Sequence, residues 1–143
     1  MAGINNEEDL DRELTNITHI MSERGEASGA MLLGQDAFSN NYRFIERFIE
    51  RYGGSATKML FSLSSDEEGV IFSEMVSEFG NVLKKTLERS DIVFQWQHNH
   101  YFVVLPMFSE KDTSVVVDRI MKAWKETGYY DRMKIKYTTG MIE

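Results

Sequence analysis

The sequence contains no cysteine, so disulfides, thiolate metal sites and cysteine nucleophiles are excluded together, and a reducing cytoplasm suits it. Proline is nearly absent, with Pro106 alone, and there is no low-complexity tract, which argues against a linker-rich chain. No apolar run approaches the roughly 20 residues that cross a bilayer. The N-terminus carries Glu7, Glu8, Asp9 and Asp11 where a signal peptide would be basic, so neither membrane insertion nor secretion is expected. Positive charge is also short: 16 Lys+Arg stand against 23 Asp+Glu, a formal net charge of -7. No general basic field exists to hold a polyanion, which argues against nonspecific nucleic-acid binding.

What remains is the composition of one folded domain. The chain has 143 residues, 42% hydrophobic and 27% charged, enough to bury a core and too apolar for a disordered tail. Nine methionines read as core filler first and adaptable contact surface second.

Periodicity divides the chain. Leu10, Leu14, Ile17, Ile20 and Met21 fit one stripe of a helix over about 6 to 22, and the glycines at 25 and 29 end it, so residues 1–34 read as a linker or connecting helix and 35–143 as the main domain. Phe38, Tyr42, Ile45, Ile49 and Tyr52 predict a helix, with Asp36 or Ser39 as cap and Gly53-Gly54 as stop. Lys58 to Leu63 reads as a buried strand entering a helix capped by Ser64, Ser65 or Asp66. That helix runs to about Arg89 on Phe72, Met75, Val76, Phe79, Leu83 and Leu87. Gly80 weakens it by about 1 kcal/mol or permits a close approach. Residues 91–106, DIVFQWQHNHYFVVLP, predict a β-hairpin, Val115 to Thr127 a helix through Val116, Val117, Ile120 and Trp124, and Met133 to Thr139 a strand. The order implies an α+β fold, with a ferredoxin-like or palm-type, mainly antiparallel central sheet and helices packed on its faces.

The hairpin resembles the signature hairpin of GGDEF domains, the diguanylate cyclase family, in which an Asp and two apolar residues lead to a Gly-Gly-Asp/Glu-Glu-Phe turn and an apolar strand ending in proline. Asp91, Ile92 and Val93 match the lead-in and Phe102 to Pro106 the outgoing strand. AFSNNYRFIERFIERYGGSATKMLFSL, VLKKTLERSD, VVVDRIMKAW and KIKYTTG resemble further segments of the family in order, over roughly residues 30 to 143.

The resemblance implies nucleotidyl transfer by carboxylate-held Mg²⁺ ions, which clamp a triphosphate and activate a 3′-hydroxyl. It also implies where those groups are replaced. The turn positions are Gln97, His98, Asn99, His100 and Tyr101, with Asn99 and His100 in place of the acidic pair, and Ser62 and Ser64 stand at the strand end where the family has its other metal-binding Asp. Gln97 and His98 fill the space that turn glycines leave for substrate. At the family's inhibitory Arg-x-x-Asp site, Asp91 keeps the Asp place, Glu88 occupies the Arg place and Arg89 falls one position late. A further family helix, carrying a phosphate-binding Lys, would lie past Glu143.

Other chemistry is thinly supplied. His98 and His100, two apart, would share a strand face as zinc ligands do, yet the third histidine is His19 in the connector, so they read as exposed turn residues. Either histidine with Glu110 or Asp112 would make an acid–base pair, but no nucleophile motif, Walker loop or dinucleotide fingerprint accompanies them. Trp96, Tyr101 and Phe102 read as packing residues.

The expectation is therefore a non-catalytic GGDEF-like regulatory or protein-interaction module of a bacterial signalling protein. It would need no cofactor and would work with a protein partner or an upstream receiver or sensor domain, or as a homodimer across the turn. The alternatives are a sensor of GTP or cyclic di-GMP, or a residual cyclase using Mg²⁺ and GTP through a rearranged site at Asp66, Glu67 or Glu68.

Overall fold

Alternating burial along three strands separates two helical layers across one sheet. The computed structural model describes residues 7–22, 29–106 and 112–143. Its elements are α1 (Glu7–Met21), β1 (Met31–Leu33), α2 (Gln35–Tyr52), β2 (Ala56–Ser64), α3 (Gly69–Thr86), β3 (Ile92–Trp96), β4 (His100–Pro106), α4 (Thr113–Lys125) and β5 (Lys134–Ile142). The strands lie in the order β1-β3-β4-β2-β5, antiparallel except for β1, which pairs parallel to β3. This is the α+β, mainly antiparallel architecture that the periodicities predict.

Side chains two apart on a strand share a face. Met59, Phe61 and Leu63 of β2, Val93 of β3 and Tyr101, Val103 and Leu105 of β4 therefore point together, and they meet Met75, Val76, Phe79 and Leu83 of α3 and Val117, Ile120 and Trp124 of α4. The intervening Ala56, Ile92, Val104 and Ile142 face the other way, against Phe38 and Ile49 of α2. Aromatic contacts tie each layer: Phe79 meets Trp124 edge-on at 5.5 Å, and Phe38 lies 5.4 Å from Phe102.

Several local features differ from the sequence reading. Met31–Leu33, read as the tail of a connector, forms the edge strand β1. Gly29 enters it so close to α3 that a Cβ there would sit 1.8 Å from the Lys84 carbonyl oxygen, a packing role its reading as a helix breaker did not contain. Helix α2 begins at Gln35 after Gly34, with no side-chain cap from Asp36 or Ser39, and stops as expected at Gly53, whose φ is 81°. Ser64 does not cap α3. It is the last residue of β2, held by pairing to β5, and α3 starts at Gly69 behind Glu68. The same helix ends at Thr86 rather than near Arg89, so Glu88 and Arg89 lie in the turn beyond it. Gly25 and Glu110 lie outside the described residues. Among the described residues, no helix is long and apolar enough to cross a membrane.

Candidate functional site

The end of β2, the β3–β4 turn and the start of α3 converge, because β2 pairs with β4 in a register that sets Ser62 opposite His100. The turn is Gln97–Asn99, while His100 and Tyr101, read from the sequence as turn residues, belong to β4. Gln97 has φ 55°, a left-handed conformation that costs a residue with a Cβ about 1–2 kcal/mol. Hydrogen bonds from its neighbours hold the turn there. The Leu63 N–H donates to the Asn99 carbonyl at 2.9 Å, and Asn99 Nδ2 donates to the Leu63 carbonyl at 3.1 Å. Gln95 Nε2 donates to the His98 carbonyl at 2.9 Å.

The His98 imidazole lies over the start of α3, with Nε2 3.3 Å from Ser73 Oγ and the ring edge-on to Phe72 at 5.7 Å. Tyr101 is buried and donates its hydroxyl proton to the Val76 carbonyl at 2.9 Å. Burial pushes this phenol up to about 12, so it remains neutral and a donor. Gly80 admits the ring: a Cβ there would lie 2.5 Å from the Tyr101 hydroxyl oxygen, the close approach that the sequence left open.

Mg²⁺ is held by hard, mostly anionic oxygens. At this place Ser62, Ser64 and Asn99 supply neutral hydroxyl and amide groups, and His98 and His100 supply nitrogen. The Asn99 amide is already bonded to Leu63. These residues do not fit a two-Mg²⁺ site. Asp66, Glu67 and Glu68 lie just beyond β2, but Glu67 is engaged: Arg132 reaches its two carboxylate oxygens at 2.9 and 2.7 Å. That fork holds the Glu67 carboxyl below the usual carboxylate range. Ser65 Oγ donates to the Arg132 carbonyl, closing a polar cavity of about 310 Å³ between Ser64–Asp66 and Asp131–Lys134. Among the described residues, no group of three His, Cys, Asp or Glu side chains is arranged to hold a metal.

At the inhibitory-site positions, Asp91 is buried and accepts the Glu88 N–H at 2.7 Å through Oδ2. Its other oxygen is buried with no hydrogen-bond partner among the described residues. Burial, opposed by the Glu88 N–H, pushes its carboxyl up to about 6. Glu88 is exposed and pairs with Arg119 of α4 at 3.3 Å. Asp91 is thus part of a turn, and the Arg119 guanidinium of α4, which pairs with Glu88, acts on it as a nearby positive charge.

The sequence reading named the turn residues and the two serines, and the structure brings them together. It missed Ser73, Arg119 and Arg132, each supplied by a contact between segments distant in sequence. Gly80, a glycine inside an apolar helical stripe, carried a signal that the sequence reading used, and of its two readings the structure shows the close approach.

No protein-family model matches this chain, and no curated protein matches it in sequence. Solved structures do. The active GGEEF domain of a diguanylate cyclase from Vibrio cholerae superposes with a TM-score of 0.68 at 8% identity, over 79% of this chain and 78% of that one. The coiled coil and GGDEF domain of DgcB from Caulobacter crescentus, in complex with c-di-GMP, gives 0.68 at 9% identity, over 95% of this chain and 77% of that one. Diguanylate cyclase SiaD from Pseudomonas aeruginosa, in complex with its activator SiaC, gives 0.63 at 15% identity, over 94% of this chain and 54% of that one. At these identities the likeness is one of fold: the chain has a GGDEF-like fold.

Proposed function

We propose that this chain is a non-catalytic GGDEF-like module of a bacterial signalling protein, acting in the cytoplasm by contact with a protein partner or an upstream receiver or sensor domain. The reading rests on one observation above the others: the turn that faces the end of β2 is bonded to its own chain through Asn99 and His98, and Ser62 and Ser64 stand beside it without a carboxylate. Nucleotidyl transfer needs charge stabilisation where charge develops on the phosphates. Neutral groups already bonded to their own chain supply little of it.

The rearranged-cyclase reading loses support from the Arg132 fork on Glu67, because a carboxylate bonded through both oxygens must first break a charge-assisted pair to bind a metal. Feedback binding of a cyclic dinucleotide loses support from Glu88, an anion where an arginine would be needed. Signalling through contact is in keeping with SiaD, whose structure was solved with its activator SiaC.

The test is incubation of the purified chain with GTP and Mg²⁺, with product analysis, alongside calorimetric titration of GTP and cyclic di-GMP with and without metal. No product and no heat of binding are expected. Conversion to a cyclic dinucleotide would establish the enzyme reading, and saturable binding without turnover the sensor reading.

A further inference from the structure

Among the described residues, two apolar surfaces are left bare. Helix α1 buries none of its residues, and Leu10, Leu14, Ile17 and Met21, at spacings of four, three and four, form one exposed stripe. On α2, Phe44, Phe48 and Tyr52 repeat every four residues and are 66%, 44% and 68% exposed, their rings in tilted contact along the helix at 6.2 and 4.9 Å. The same two turns of α2 border an apolar groove of about 520 Å³ that Met31, Ile45, Ile49 and Pro106 also line. Exposed apolar surface of this extent marks an interaction site.

Charge selects the occupant. At 100° per residue, Arg43, Arg47 and Arg51 form a line directly beside Phe44, Phe48 and Tyr52, while Glu46 and Glu50 fall on its far side. All three arginines are exposed. On α1 the same geometry puts Glu7 and Asp11 along one flank of the apolar stripe and Asp9 and Glu13 along the other, with Arg12 the single basic residue besides His19. Two α1 helices paired on their stripes would bring these acidic flanks together. An α1 laid on α2 instead meets the arginine line in either direction. The lengths agree: the stripe from Leu10 to Met21 runs about 16 Å and the aromatic line about 12 Å, at about 1.5 Å per residue.

We propose that α1 of one copy of this chain docks in the α2 groove of a second copy, and the reverse, giving a two-fold exchanged dimer. The described residues of one chain leave both the stripe and the groove bare, and a reciprocal exchange covers both at once.

Because the chain has no cysteine, engineered ones report without background. The full chain carrying Leu14→Cys and Phe48→Cys, treated with a short bis-maleimide, is expected to give a covalent dimer, and Leu14→Cys alone to give none. Sedimentation should show a dimer for the unmodified chain. Arg43→Glu, Arg47→Glu and Arg51→Glu together should weaken it about ten-fold or more. Mixing that variant with one carrying Glu7→Lys, Asp9→Lys, Asp11→Lys and Glu13→Lys should restore the dimer, which a merely misfolded arginine variant would not do. An intrachain cross-link, a covalent dimer from Leu14→Cys alone, a chain monomeric at every concentration, or a dimer indifferent to the arginine changes would each overturn the proposal.

Discussion

At the β3–β4 turn, Gln95, His98 and Asn99 direct polar groups back into the chain, at the His98 carbonyl, Ser73 and Leu63. Along the outer side of α2, Phe44, Phe48 and Tyr52 stand in water and touch one another in tilted pairs. Both regions face solvent, as turns commonly do and large aromatics commonly do not, and they differ in whether their groups already have partners within the fold. A polar group already bonded within the fold must give up that bond before it serves a ligand, whereas an exposed aromatic gains from being covered. The capacity for new interactions therefore lies on the helix rather than at the turn.

Substitutions near the turn should disturb the fold, and those on the outer α2 line should not. The largest effect is expected for Gly80→Ala. Its Cβ would meet the Tyr101 hydroxyl at 2.5 Å, and that buried ring is fixed by its bond to Val76. Overpacking of this kind costs about 1–3 kcal/mol, more than the helix propensity gained, and urea denaturation would read it as a lowered midpoint.

Asp91 makes a comparable contribution in the form of pH dependence. Its folded carboxyl sits at about 6 against an ordinary 3.8, so the folded chain holds that proton more tightly than the unfolded one. The stabilisation is fully present below the ordinary value and is lost as pH rises through about 6, amounting to about 1–3 kcal/mol. Asp91→Asn should flatten the corresponding slope when melting is followed across that window.

Asn99→Ala removes the side-chain bond to the Leu63 carbonyl and should lower stability by about 1 kcal/mol, seen in the same denaturation assay. The smallest effect belongs to the other region: Phe48→Ser should change the stability of the dilute chain by no more than about 0.5 kcal/mol, as for ordinary surface positions. A larger loss there would mean that the aromatic line already packs against something within one chain, and the contrast between the two regions would fail.

Most of the architecture was readable from local periodicity. Helices α2, α3 and α4 carry apolar positions three and four apart, and β3 and β4 flank a short polar segment, so each announces itself within a dozen or so residues. Long-range partners were not readable in this way. Strand β1 is three residues whose only strand signal is its pairing with Ile92–Phe94, far along the chain. Ser64 and Ser65 look like helix caps by composition, yet pairing to β5 carries the strand through Ser64, and the helix waits until Gly69. The candidate residues followed the same rule. The turn was found from the hairpin's resemblance to the GGDEF signature, and Ser62 and Ser64 from the resemblance of the strand end before it to the family's metal-binding position. Arg132 on Glu67 and Ser73 beside His98 arise only when segments 65 and 25 residues apart are folded together.

The central claim is that the turn and the end of β2 make no nucleotide-binding metal site. Its most direct test is a Mg²⁺ titration of isotopically labelled chain, with and without GTP, following the backbone amide signals of Ser62, Ser64 and Asn99. The account predicts that these signals stay in place apart from a small linear drift with ionic strength. Saturable shifts at all three, dependent on both metal and nucleotide, would contradict it.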